Sequence, residues 1–356
     1  MTWALLIRAD ADSRIGVGHV MRCLALAQAW QDSGGRAIFV SSVLPTGLEE
    51  RLSREGFPLV RINGPIGSRE DAAATLAIAG DNDVAWVVVD GYAFSTPYFA
   101  MLHEAGLRVL AIDDLALLER YPVEALLNQN LSATAGAYRG CLQPSTTLLL
   151  GPRFGLLRRE FRDALPDATG QLHEPRRVLM TFGGGDRENL TGALMRNLQH
   201  SSRRDLLHVI VLAGAANPHI ARLREIAADL TFACEVRVDV SNVAELMVWA
   251  DAAITAAGST VWELASLGVP ALIGAVEPNQ LAGLSALAAV PFFRAMRSEE
   301  LVACDLGDAL EQLWTETRDK TSNHFDALGA ERVVDFLRTV MQAGSCSPRN
   351  LGIPAA

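Results

Sequence analysis

Aromatic residues make up only 6% of the 356-residue chain, and its five cysteines (Cys23, Cys141, Cys234, Cys304 and Cys346) never fall in a C-x-x-C pair. Scattered and odd in number, they argue against a zinc site or a disulfide framework and fit a reducing cytoplasm. No apolar run approaches the ~20 residues that a bilayer span needs. Positive charge is also short, with 31 Lys and Arg against 41 Asp and Glu and a formal net charge of −10. That balance argues against nucleic acid or an anionic membrane as partner, so any anionic ligand must be held by local groups. Residues 1–8 read as a first strand, because the basic start, long apolar core and small-residue cleavage site of a secretory signal are missing. A soluble, cytoplasmic protein is expected, with its oligomeric state left open.

Half of the residues are hydrophobic, and the length is large for one core, which suggests two domains. Strand-like and helix-like segments alternate throughout, as in parallel sheets wrapped by helices. Strands are predicted at Trp3–Ala9, Arg36–Ser42, Leu59–Ile62, Ala85–Asp90, Arg108–Ile112 and Thr147–Leu150. The segment Gly151-Pro152-Arg153-Phe154-Gly155 and the charged stretch that follows mark the domain boundary. A second series of strands then starts at Arg177–Phe182 and continues at Leu207–Ala213, Cys234–Val238, Ala252–Thr255 and Ala271–Ile273. The expected fold class is α/β, with two Rossmann-like domains (1–155 and 176–322) whose parallel sheets face a central cleft. A helix within 323–342 is expected to pack back across that cleft, and 343–356 to form a frayed tail.

The densest motif is Arg8-x-Asp10-x-Asp12-x-x-Ile15-Gly16-x-Gly18-His19-x-x-Arg22. It sets a histidine where a glycine turn, Gly16 and Gly18, joins the first strand to a helix. Unpaired amides and partial positive charge at a helix start favour a phosphorylated ligand there, and an imidazole can take a proton from water near neutral pH. His19 as a plain capping or packing residue is the competing reading. Position 21 is Met where the dinucleotide fingerprint needs its third glycine, which disfavours a nicotinamide cofactor. Arg14 beside the turn can meet ligand oxygens; Arg22 can do the same or form a structural ion pair.

In the second half, Gly258, Ser259 and Thr260 open a helix after the strand at 252–255. They offer amides and hydroxyls to a phosphate, and Glu263 one turn on offers a carboxylate to a vicinal diol. Simple helix capping by Ser259 and Glu263 explains the same residues. The turn Gly183-Gly184-Gly185-Asp186 supplies a second set of amides or merely a tight bend. At other strand ends stand Asp90 and Tyr92, placed to touch a sugar, and Asn279 with Gln280, placed for its substituents or the diphosphate. Asp113-Asp114 has no third acid or histidine close in sequence, so no metal site is expected, and no cofactor.

Taken in order, these segments, with Leu156-Leu157-Arg158-Arg159-Glu160-Phe161 in the connector, resemble a known family. It is the UDP-2,4-diacetamido-2,4,6-trideoxy-β-L-altropyranose hydrolases of pseudaminic acid biosynthesis, related to spore-coat polysaccharide glycosyltransferase-like proteins. The resemblance implies a GT-B architecture similar to that of the lipid II-forming N-acetylglucosaminyltransferase, with UDP held by the carboxyl-terminal domain and the sugar by the amino-terminal one. It implies His19 as catalytic histidine, Tyr92 and Asn279 as substrate contacts and Glu263 as the ribose acid. The expected reaction is metal-independent hydrolysis of the UDP-sugar at the anomeric carbon, with inversion. A GT-B glycosyltransferase and a non-catalytic sugar-nucleotide-binding protein are the alternatives.

Overall fold

The computed structural model describes residues 3–12, 14–164, 172–183, 186–215, 217–276, 278–281, 283–317 and 325–344. Its strands are β1 (Ala4–Ala9), β2 (Arg36–Ser41), β3 (Leu59–Arg61), β4 (Val84–Asp90), β5 (Val109–Ile112), β6 (Ala125–Asn128), β7 (Thr147–Leu150), β8 (Arg176–Thr181), β9 (Leu207–Ala213), β10 (Ala233–Val238), β11 (Ala252–Ala256), β12 (Ala271–Ala275) and β13 (Phe293–Arg297). The first seven form one parallel sheet in the order β3-β2-β1-β4-β5-β6-β7, and the other six form a second in the order β10-β9-β8-β11-β12-β13. Each half therefore repeats one plan, in which the chain runs outward from the first strand, then returns and runs the other way.

The apolar runs of the central strands follow from burial on both faces. In β1, Leu5 and Ile7 face the helix Gly18–Asp32, while Leu6 joins a cluster with Tyr98 and Phe99 on the opposite face. Trp86 and Val88 of β4 share the first side, and Val87 and Val89 the second. Complete burial of each Leu or Ile contributes about 1.5–3 kcal/mol, which fixes the sheet's position between its helical layers. The second sheet does the same, with Val178 and Met180 on one face and Leu179 on the other.

Two strands escape sequence reading. Residues 125–128 of β6 are a four-residue run without alternation, and β13 carries Arg294 and Arg297 at the sheet's edge. The last described helix, Gly329–Gly344, crosses to the amino-terminal half. Its Ala330, Val333, Val334, Leu337 and Met341 enter the core beneath the helix Gly18–Asp32. There the Trp86 indole donates to the Leu337 carbonyl at 3.2 Å and Arg338 to the Ser33 carbonyl at 2.9 Å. Gly329 is pressed against the backbone of Gly155, where a Cβ would collide. The tail predicted at 343–356 lies outside the described residues from 345 onward.

Candidate functional site

The reversal of strand order between β1 and β4 opens a crevice at their carboxyl ends. Ala9 pairs with Asp90 across it, and Asp90 pairs in turn with Ile112 of β5. The segments after these strand ends therefore converge: the turn leading to His19, the Asp90-Gly91-Tyr92 corner, Asp113-Asp114, and Asn130 after β6.

The long motif divides into parts with separate tasks. Arg8 is fully buried and bonds Asp71 at 2.9 and 2.6 Å and Asp10 at 2.6 Å. Asp10 also accepts from the Ser42 and Val43 amides, fixing the turn after β2. Asp12 accepts from the Arg14 and Ile15 amides, both at 2.6 Å, and its carbonyl accepts from the Gly16 amide. Gly16 closes this loop at φ +81°, a conformation open to glycine at little cost. Gly18 then starts the helix, with the Arg14 side chain exposed at the loop.

His19 Nδ1 lies 2.7 Å from Asp90 Oδ1. Arg22, one turn along the same helix, grips both oxygens of Asp90, at 2.6 and 2.7 Å, and both oxygens of Asp114, each at 2.9 Å. Burial works against ionisation of Asp90, yet the Arg22 charge, with hydrogen bonds from Arg22 and His19, outweighs it and holds the carboxyl well below its ordinary range. Arg22 in turn is held well above its ordinary value by Asp114 and Asp90 despite burial. An ionised Asp90 can only accept, so Nδ1 donates to it, and in the neutral imidazole Nε2 is then the nitrogen that carries the lone pair. Tyr92 stands edge-on to His19 with ring centres 4.8 Å apart and donates to Asp114 Oδ2 at 3.0 Å. Asn130 donates to Asp114 Oδ1 at 3.0 Å.

One assignment needs correction. Asp90, expected from sequence to touch substrate, has no accessible side-chain surface, and its oxygens are taken by His19, Arg22 and the Cys23 thiol. It acts on His19 instead. Asp113 is structural as well, accepting from Tyr138 at 2.7 Å and from the Ala116 amide at 2.8 Å.

The second half meets this site from across the cleft. A Cβ on Gly18 would lie 3.9 Å from Ser259 Oγ, and one on Gly47 would lie 3.9 Å from Asp239 Oδ2. Ser259 precedes the helix Thr260–Ser266 without capping it through its side chain. Glu263 is paired with the connector's Arg158 at 2.9 Å. Burial raises the Glu263 carboxyl above its usual range even against that cation.

The other turn is arranged differently. Asp186 accepts from the Leu190 and Thr191 amides and Asn189 from that of Gly192, so the helix Leu190–His200 has its leading amides occupied by its own chain. Gly183 bends at φ +74°; Gly184 and Gly185 lie outside the described residues. Gln280 Oε1 accepts from the Val276 amide at 2.9 Å in the short helix Pro278–Leu281. The side chain of Asn279 in that helix lies outside the described residues. Sequence reasoning gave no role to Asp114, Asn130 or Arg158. The connector motif pointed to Arg158, whereas nothing local marked Asn130.

Among the described residues no three His, Cys, Asp or Glu side chains are grouped to hold a metal ion, and no helix is long and apolar enough to cross a membrane. No family model matches the chain. It is 25% identical over 261 residues to the UDP-2,4-diacetamido-2,4,6-trideoxy-beta-L-altropyranose hydrolase of Campylobacter jejuni, covering 73% of this chain and 86% of that one. The structure of MurG from Acinetobacter baumannii superposes with a TM-score of 0.63 at 19% identity, over 95% of this chain and 100% of that one. MnaA of S. aureus, solved with UDP, gives 0.64 at 14% identity over 99% and 100%. With two Rossmann-like domains of parallel strands meeting at one cleft, the chain has the GT-B fold.

Proposed function

We propose that the protein hydrolyses UDP-2,4-diacetamido-2,4,6-trideoxy-beta-L-altropyranose, or a close UDP-diacetamido sugar, to UDP and the free sugar, as a step toward a nonulosonic acid such as pseudaminic acid. The observation that carries this reading is the His19–Asp90 pair, seated on the loop that meets Ser259 across the cleft. The distant likeness to the Campylobacter jejuni hydrolase supports the substrate class.

In this mechanism Asp90 holds Nδ1–H of His19, and Nε2 takes a proton from water as the water oxygen attacks the anomeric carbon. The bond between that carbon and the diphosphate oxygen breaks, its electron pair leaves with UDP, and the sugar configuration inverts. Release of the proton from His19 to solvent resets the site. A positioned base of this kind is worth roughly 10²–10⁴-fold in rate. Amides and hydroxyls of Gly258, Ser259 and Thr260 meet the charge growing on the diphosphate, and Glu263 receives the ribose diol. Gly16, Gly18, Arg14, Tyr92 and Gln280 line the sugar side of the cleft, with Gly183 on the nucleotide side.

Incubation of the purified protein with the UDP-sugar and no acceptor tests the assignment. Free sugar and UDP formed at catalytic rates support hydrolysis. Turnover that appears only when a sugar acceptor is added identifies a glycosyltransferase, and tight binding without turnover a non-catalytic binding protein.

A further inference from the structure

Among the described residues three arginines are buried, Arg8, Arg22 and Arg158, and they differ in how completely they are satisfied. Arg8 uses all three of its guanidinium nitrogens in hydrogen bonds, to Asp71, Asp10, Ser42 and the Val40 carbonyl. Arg158, only 4% exposed, makes one, from Nη2 to Glu263 Oε1 at 2.9 Å. Its Nη1 lies 2.7 Å from Glu160 Oε1 outside hydrogen-bond geometry, and Nε has no partner. Buried polar groups are normally satisfied, so an exception calls for a reason other than holding the fold.

The surroundings of Glu263 supply one. The charged groups facing it are Arg158 from the connector, Glu160 from the helix Arg159–Asp163, and Arg51 from the helix Thr46–Arg54. Burial and the Glu160 charge favour the protonated acid; Arg158 and, more weakly, Arg51 favour the carboxylate. A protonated Glu263 keeps a donor and loses acceptor capacity, which suits a diol poorly. The connector itself is fixed to the amino-terminal half, since the Arg159 amide donates to Gln28 Oε1 of the helix Gly18–Asp32 at 2.8 Å and the Leu156 amide to Gln129 Oε1, just after β6, at 2.9 Å. Arg158 thus approaches Glu263 from a segment anchored on the opposite half of the molecule.

We propose that Arg158 is a positioning residue for nucleotide recognition, holding the Glu263 carboxylate in the orientation that accepts the hydroxyls of a ribose diol. The proposal rests on the reading of Glu263 as the ribose acid. Arg158 needs no contact with the ligand; it acts through the carboxylate alone.

The test is calorimetric binding of UDP and of 2′-deoxyuridine diphosphate to the full chain, between pH 6 and 8.5. The wild type is expected to prefer UDP by about ten-fold or more, the scale of a hydrogen bond to a charged group. Arg158→Met and Glu263→Gln each erase that preference, and the double variant erases no more than either single one. Arg158→Lys retains much of the preference across that pH range. A merely structural Arg158 would weaken both ligands alike with their ratio intact, and that result overturns the proposal. Thermal melts identify a misfolded Arg158→Met, in which case Arg158→Lys and the double variant, which carries no unpaired buried carboxylate, decide the question. Wild-type protein that binds neither nucleotide sinks the uridine site itself, and the proposal with it. Wild-type protein that binds both equally leaves a uridine site standing and removes Glu263 as its ribose acid.

Discussion

Gly18 and Ser259 face each other across the cleft, so close that a Cβ on the glycine would stand 3.9 Å from the serine hydroxyl oxygen. One belongs to the turn before the His19 helix and the other to the turn after β11, so the two halves of the chain bring their strand ends to one place. Alanine fits at Gly18 in ordinary contact; a larger side chain fills the space where the halves meet. Gly18→Leu is expected to weaken UDP binding at least ten-fold while the melting temperature stays within a few degrees, which titration calorimetry and a thermal melt will show.

Asp90 and His19 are expected to separate stability from rate. Asp90→Asn leaves Asp114 as the only anion paired with Arg22 and removes a buried charge from a paired network, a change that costs about 3–5 kcal/mol. His19→Gln leaves the Asp90–Arg22 pair in place and is expected to unfold near the wild-type denaturant midpoint. Its turnover falls by roughly 10²–10⁴-fold with UDP affinity retained. Equal stability losses in the two variants would contradict the view that Asp90 anchors the network and His19 performs the proton transfer.

Acid stability follows from the same cluster. Asp90 and Asp114 are both held below their ordinary range by Arg22, against the effect of burial. Their stabilisation is therefore complete above the unfolded carboxyl value, about 3.9. It is lost as pH falls through their lower folded values, because in that window the unfolded chain binds more protons. Stability of the wild type is expected to fall steeply below about pH 4. Asp114→Asn, less stable at neutral pH, is expected to fall less steeply. A steeper acid slope in the variant would contradict the pairing.

The crossing helix Gly329–Gly344 gives a test of the architecture. Leu337 is fully buried against the amino-terminal half although it lies about 330 positions from β1 in sequence. Leu337→Ala is expected to cost about 2–5 kcal/mol. Because the helix packs on the first sheet, hydrogen exchange should quicken in β1 and β4 before β8 and β11. Faster exchange confined to the second sheet would contradict this placement.

Much of this was legible in the sequence, for physical reasons. Strands buried on both faces, such as Leu5 to Ile7 and Trp86 to Val89, announce themselves as apolar runs. Short β6 and edge strand β13 do not, because their pairing is decided by neighbours distant in sequence. His19, Gly18 and Ser259 were found because strand-turn-helix corners carry local signatures. Their partners carry none: Asp90 reads as a ligand contact, and the connector motif names Arg158 without a role. Both are fixed by pairings over 71 and 105 positions that no local pattern encodes.

The most direct measurement is hydrolysis of UDP-2,4-diacetamido-2,4,6-trideoxy-beta-L-altropyranose in ¹⁸O-labelled water, followed by NMR and mass spectrometry without any acceptor. The account predicts label in the free sugar, none in UDP, and the inverted anomer as first product. Label in the phosphate, retention at the anomeric carbon, or no hydrolysis without an acceptor would contradict it.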